Sequence, residues 1–541
     1  MYAHRPGNPR DSYATTDFES VNFKPRQTTG PEFYDRSNLS RKIGLVGVGV
    51  AALFAWLCIF EGFMIFLSKN TISSGVVLIF LRNSWEKELL CLGLNLMVTA
   101  CTEAIGFVHG IALRSALASQ KCLHFNTNLR LLSASRGVFN PNGTPCNLVM
   151  AILLIVSYSS SLLVTLSVDL NSSSGVENAG FAICVSEVPL IVLGVTLLLQ
   201  AIIALLSARS ADILTWSSSP FDITAALVHH AQIVPEQGRC MRSVGDLGQG
   251  PVAPSPKQPS AWRAHSGVRK VVMTLWLLAV ICIVWGLAIV YLSDRSISHA
   301  VKSWSFFPQP QSHLVAYSIP IEGGVYWYWL LYYANMAAIQ GPLTLALHCS
   351  ELVVNVIRDE KVWRKATTVK GATTSSHPLA LVFGSTLNVG LLLSKPLLRK
   401  SHRFAASFFL CLITIIDWML GLAISLAGTA ESGYLKAIAV SMWPFQVGTF
   451  DRGQSSPSLT VFGVQILNYS GLLLIFSLTL TVIVLYRPKG PQPAAYGHVQ
   501  TLANLIDEWS PTMWWGHKDS GVPFFHAGGY RFESQMSACA F

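Results

Sequence analysis

The stretch "LLCLGLNLMVTACTEAIGFVHGIAL", residues 89–113, contains no lysine or arginine. A helix needs about 20 mostly apolar residues to cross the hydrocarbon core of a bilayer. The stretch therefore reads as a membrane span. Near its middle stands Glu103, and His109 follows six positions later. A charge at that depth costs about 2.5–3.5 kcal/mol on insertion scales. An acid in such a place is a functional question as well as a structural one.

Seven more stretches have the same character: 43–67, 148–168, 181–206, 270–292, 324–349, 403–428 and 459–485. Only 12% of the 541 residues are charged and 51% are hydrophobic. Soluble chains carry about 25% charged residues, and the mean hydropathy here is +0.45. The expected fold class is all-α, a polytopic membrane helical bundle of about eight transmembrane helices. Segment 73–81, "SSGVVLIFL", is too short to span and reads as re-entrant or interfacial. Segment 379–393 is also short and flanked by Lys370 and Lys395. It either lies on the inner surface or adds a crossing that reverses everything after it.

Positive charge orients the bundle. With the N-terminus inside, 31 of the 38 Lys and Arg fall in inner segments and seven in outer loops. Loop 114–147 carries four basic residues and no acid. Both termini are expected in the cytosol, and the plasma membrane is the expected location. The sequon at Asn171 falls in an outer loop, where a glycan would be attached. The net charge of +10 follows from this bias. It favours contact with the anionic inner leaflet and gives no nucleic-acid surface. The eleven cysteines include no CxxC spacing and suggest no disulfide framework.

The chain divides into a tail (1–42), a four-helix half (43–206), a linker (207–269), a second four-helix half (270–485) and a C-terminal tail (486–541). In the linker, "SSSPFDITAALVHHAQ" offers Ser219 as N-cap, Pro220 at the first helical position and Asp222 in the first turn. That predicts a short helix near 220–232. "GDLGQGPVAPSPKQPS" then reads as a flexible Gly, Pro and Ser-rich stretch. The two halves share a layout, and "AIGFVHGIAL" (104–113) aligns with "AIQGPLTLAL" (338–347) as a candidate parallel repeat. In the tail, Val499, Leu502, Leu505, Ile506 and Trp509 mark one apolar helix face. Docking on the inner end of the bundle is its expected role, with a membrane-surface or partner-binding helix as the alternative.

Four acids fall in spans: Glu61, Glu103, Glu187 and Asp417. Glu61 and Glu187 lie toward outer helix ends and read as interfacial. Glu103 and Asp417 lie near mid-span with no Lys or Arg in the membrane to neutralise them. Six residues put Glu103 and His109 about 120° apart on a helix, so they are not an acid–base pair. Glu103 shares its face with Gly106 and Gly110, a spacing that invites close approach of another helix. Neutral partners are available in "SYSSS" (157–161), Asn335 and Gln340, with Gly341 and Pro342 expected to loosen or kink that helix. The candidate intramembrane polar site is Glu103, Asp417, Asn335 and Gln340, with Glu61 and His109 secondary.

No P-loop, GxSxG or HExxH is present. His229 and His230, adjacent on a helix, make a poor chelate. Catalytic residues, metal ligands and cofactors are not expected, and the chain reads as a non-enzyme. Two passages, "ILTWSSSPFDITAALVHH" (213–230) and "GHVQTLANLIDEWSPTMWWGHK" (497–518), resemble segments of uncharacterised multi-pass integral membrane proteins of filamentous fungi. The resemblance implies an all-helical membrane protein of fungal source and transfers no functional residue. The leading expectation is transport of an ion or small solute using the mid-membrane carboxyls. The alternative is a non-catalytic scaffold, sensor or assembly protein whose buried polar groups specify packing. The bilayer is the expected partner, and oligomeric state is not readable from the sequence.

Overall fold

The computed structural model describes Tyr34 and residues 38–68, 76–81, 84–127, 132–168, 181–296 (apart from 237, 249–251, 253 and 254), 314–318, 325–373, 424–428, 440–442, 445–449, 457–506, 509–519 and 526–530. Its helices in chain order are α1 (Asn38–Ser68), α2 (Ser84–Ser119), α3 (Thr144–Leu163), α4 (Glu187–Ser210), α5 (Pro220–His229), α6 (Ala261–Ala264), α7 (Ser266–Ser296), α8 (Val325–Arg364), α9 (Gly463–Leu485) and α10 (Val499–Leu505). Among the described residues six helices are long and apolar enough to cross a membrane: α1, α2, α3, α4, α7 and α9. They match the first five and the last of the expected spans. The sixth, 324–349, is the first part of α8, whose aromatic opening and polar Asn335 and Gln340 keep its hydropathy lower. The seventh, 403–428, lies outside the described residues except for its last five, and so does segment 379–393.

Packing explains why each helix carries its pattern. On α1, Val46, Val50, Leu53, Leu57, Phe60, Met64 and Leu67 are exposed, while Val48, Ala51, Ala55 and Cys58 are buried. A continuous apolar stripe of this length facing outward suits lipid and not water. Each half has its own core. Val48, Ala51, Ile105, Leu154 and Leu197 belong to one. Val272, Leu275, Leu347, Leu473 and Phe476 belong to the other. In each half the first and last membrane helices form the most extensive contact, α1 with α4 and α7 with α9. The halves meet where α3 packs on α8.

Glycines set these contacts. A Cβ on Gly194 would stand 2.5 Å from the Ala55 carbonyl oxygen, and one on Gly62 2.6 Å from Ile191 Cγ1. Gly286 and Gly463 play the same part between α7 and α9, where a Cβ would stand 2.8 Å from Leu467 and 2.9 Å from Val290. The expected close approach at Gly110 is not found. A Cβ there would meet no heavy atom within 4 Å.

The all-α expectation describes the bundle but misses its strands. These are β1 (Val76–Leu81), β2 (Thr165–Val168), β3 (Phe181–Ser186), β4 (Leu314–Ser318), β5 (Ala372–Thr373), β6 (Ile424–Gly428), β7 (Val440–Met442), β8 (Phe445–Thr449), β9 (Pro457–Phe462), β10 (Thr512–Asp519) and β11 (His526–Tyr530). Eight of them form one sheet in the order β4-β9-β6-β2-β3-β1-β8-β7. The 73–81 segment, expected to be re-entrant or interfacial, supplies β1, which pairs antiparallel with both β3 and β8. Every strand of this sheet comes from a connection on one end of the bundle. β2 follows α3 directly, β3 runs into α4, and β9 runs into α9.

The opposite end is a folded polar cap. Ser219 accepts from Phe221 N–H and opens α5 with Pro220 in its first turn, where the sequence places them. The Gly, Pro and Ser-rich stretch, expected to be flexible, is tied down in its described part. Gln258 Oε1 accepts from Ala494 N–H at 3.2 Å, and Gln258 Nε2 donates to Gly490 O at 3.3 Å. α8 runs unbroken through Pro342 for 40 residues, about 60 Å, and its last turns reach into the cap. There Trp363 Nε1 donates to Pro493 O at 2.7 Å. Glu360 Oε2 accepts from the N–H groups of Ala495 (2.9 Å) and Tyr496 (2.8 Å). The C-terminal tail docks on this end, with Leu502, Leu505, Ile506 and Trp515 packed around Trp363.

Candidate functional site

Glu103 faces across the bundle to α8. His348 Nδ1 lies 3.5 Å from Glu103 Oε1. The two residues belong to different halves and are 245 positions apart. His348 is 7% exposed, but Glu103 keeps 34% of its side chain accessible. The ring of His348 packs on Tyr158 at 5.6 Å between centroids.

Tyr158 is the centre of a hydroxyl seam. Its hydroxyl donates to Thr99 Oγ1 at 3.2 Å and lies 3.3 Å from Thr102 Oγ1. Thr99 in turn donates to Asn95 O at 2.8 Å, and Ser161 donates to Asn95 Oδ1 at 2.8 Å. On the other side of α3, Ser160 Oγ lies 2.9 Å from Tyr333 Oη on α8. Ser157 accepts from Gln200 Nε2 of α4 at 3.5 Å. The "SYSSS" hydroxyls therefore tie α3 to α2, α4 and α8 through Asn95, Thr99, Gln200 and Tyr333. Asn335 is on α8, thirteen residues before His348, about 20 Å along the axis. It does not join the Glu103 pair. Gln340 also lies on α8, but its side chain and the whole of Asp417 lie outside the described residues. His109 is fully buried on another face of α2. Glu61 is exposed on α1, and Glu187 is buried at the start of α4.

A second polar level lies toward the cap. Arg114 is eleven residues beyond Glu103, which puts it on nearly the same face and about 16 Å further along α2. Asp359 stands in the same relation to His348 on α8. Arg114, 4% exposed, donates to Asn126 Oδ1 at 2.9 Å and to the carbonyls of Thr215 (3.2 Å) and Ser217 (2.7 Å). Asn126 Nδ2 donates to Asp359 Oδ2 at 2.8 Å. Arg358 Nη2 lies 3.2 Å from Asp359 Oδ1. Burial pushes the Asp359 carboxyl up, and Arg358, Asn126 and Arg114 oppose that rise. Gly497 closes the knot, its backbone lying so near that a Cβ would be 2.6 Å from Asp359 Oδ2. The face of α2 between the two levels is the one with open space at Gly110.

Sequence reading located Glu103 and the α3 hydroxyls but not His348 as a partner, nor the Arg114–Asn126–Asp359 knot. Among the described residues no group of three His, Cys, Asp or Glu side chains is placed to hold a metal ion. Six membrane-length helices with apolar outer faces define an integral membrane protein. No protein family, curated protein or solved structure matches the chain.

Proposed function

We propose that the protein moves a proton or small cation across the membrane, with Glu103 and His348 as the pair that takes it up and releases it. The observation that carries this reading is a partly accessible carboxyl, mid-bundle, 3.5 Å from a histidine ring nitrogen of the other half. Intramembrane acids of this kind face water-filled paths or one another and mark ion routes. The open face at Gly110 gives such a path room, and the Arg114–Asn126–Asp359 knot closes it toward the cap.

The same reading places the polar cap in the cytosol, beside the anionic inner leaflet, because the basic segments collect there. It counts eight crossings. Its support is that β5 pairs with β10 at the cap while β6 pairs with β2 and β9 in the sheet at the other end. The reading takes the plasma membrane as the location, and a fungal source from the resemblance of 213–230 and 497–518. A second reading, a non-catalytic scaffold, draws on the Asn95–Thr99–Tyr158–Ser161 seam, whose hydrogen bonds fix helix packing without any cargo.

The two separate in reconstituted vesicles under a pH gradient. Transport predicts flux in the wild type that Glu103→Gln abolishes. A scaffold predicts no flux in either.

A further inference from the structure

The cap holds a cavity of about 820 Å³ between the inner ends of α2, α7 and α8 and the C-terminal tail. That volume is in the range of small-ligand sites, about 300–1,000 Å³. Arg239, Arg242 and Lys270 line it, with Asp246 as the single lining acid among the described residues. Arg242 Nη1 binds Asp246 Oδ1 at 2.8 Å, and Arg239 is held by Glu236. Lys270 is exposed and makes no ion pair among the described residues.

Two histidines add neutral donors. His265 Nδ1 accepts from Gly267 N–H at 3.0 Å, and His498 Nδ1 from Thr501 N–H at 3.2 Å. A ring nitrogen that accepts a backbone N–H carries no proton, so in both rings the proton sits on Nε2. The rings flank Phe125, at 4.2 and 4.9 Å between centroids, which fixes their orientation. Both line the cavity, as does His124. Burial pushes His265 and His498 down, which keeps both neutral near pH 7.

We propose that this cavity binds a phosphate group, held by Lys270 and Arg239 with the Nε2–H groups of His265 and His498 as further donors. Cations and neutral imidazoles from several elements line one half-open cavity, a lining that suits a compact, multiply accepting anion. The site goes beyond the transport reading and does not depend on it. Phosphate can arrive on a soluble molecule or on a lipid headgroup, since Lys270 lies in the first turns of α7.

The test uses the full chain in nanodiscs. One arm titrates inorganic phosphate and pyrophosphate into phosphatidylcholine discs by calorimetry. The other compares discs with and without phosphatidylinositol 4-phosphate by headgroup-dependent thermal stabilisation. Saturable binding in the first arm, weakened about tenfold by Lys270→Gln or Arg239→Gln and retained in Lys270→Arg, assigns a soluble source. Stabilisation in the second arm alone, lost in the same variants, assigns a lipid. Absence of binding in both arms overturns the proposal, as does binding that neither variant weakens. Both substituted side chains are partly or fully exposed, so the variants are expected to melt like the wild type.

Discussion

Gly497 joins two constraints that can be separated by mutation. Its φ is +73°, in the left-handed region, and a Cβ would stand 2.6 Å from Asp359 Oδ2 and 3.1 Å from Asp359 Cβ. An alanine in that conformation costs about 1–2 kcal/mol. Forcing a methyl group into a packed site costs about 1–3 kcal/mol more. Gly497→Ala should therefore destabilise the cap by about 2–5 kcal/mol. Asp359→Ala removes the obstructing oxygen and leaves only the 3.1 Å contact. In that background the same glycine substitution should cost only the backbone part, about 1–2 kcal/mol. The assay is the melting midpoint of the four detergent-solubilised proteins, followed by tryptophan fluorescence, since Trp363 and Trp515 pack edge to face in the cap at 6.3 Å. Asp359→Ala alone will also melt lower, because it leaves Asn126 Nδ2 and Arg358 without the carboxylate they contact and removes the counter-charge near buried Arg114. The diagnostic quantity is the departure from additivity. Two shifts that simply add would refute the placement of Gly497 against the carboxylate.

Three more outcomes follow from the geometry. Gly194→Ala pushes a methyl to 2.5 Å from the Ala55 carbonyl oxygen and should cost about 1–3 kcal/mol in thermal stability, whereas Gly110→Ala meets nothing within 4 Å and should be neutral or mildly stabilising. Tyr158→Phe removes the hydroxyl that joins Thr99 and Thr102 and should lower stability by about 1 kcal/mol, with little further loss on adding Thr99→Val. Burial, with His124, His265 and Arg239 adding to it, pushes His498 down from 6.5 to about 4. The unfolded chain then takes up this proton first. The stability of the cap should be intact above pH 6.5, fall as the pH drops below it, and bottom out near pH 4, a loss of about 3 kcal/mol that His498→Asn abolishes.

The membrane helices were legible because each carries a long apolar run, and α5 because Ser219, Pro220 and Asp222 announce its start. The strands were not, for a physical reason. β2, β3 and β9 abut α3, α4 and α9 without a polar break, so a hydropathy window counts "TLSV", "FAICVS" and "PSLTVF" as extensions of the spans. Short apolar runs do not distinguish strand from helix by periodicity. Glu103 was legible as an oddity, since one acid in a span is conspicuous. Its partner was not, because His348 is 245 residues away and meets Glu103 only once the halves have packed, α3 against α8 among their contacts. Spacing suggested Gly110 as a close-approach glycine. The real contacts use Gly62, Gly194, Gly286 and Gly463, and which glycines meet a neighbour depends on helix rotation that one sequence does not reveal.

The central claim is that Glu103 and His348 form an ion-carrying pair. Its most direct test is proton or cation flux into proteoliposomes under an imposed pH gradient, for the wild type, Glu103→Gln and His348→Gln. The expected result is gradient-dependent flux in the wild type, its loss in Glu103→Gln with melting unchanged, and a shifted pH dependence in His348→Gln. Wild-type flux that survives Glu103→Gln undiminished, or no wild-type flux for protons or any small cation, would contradict it.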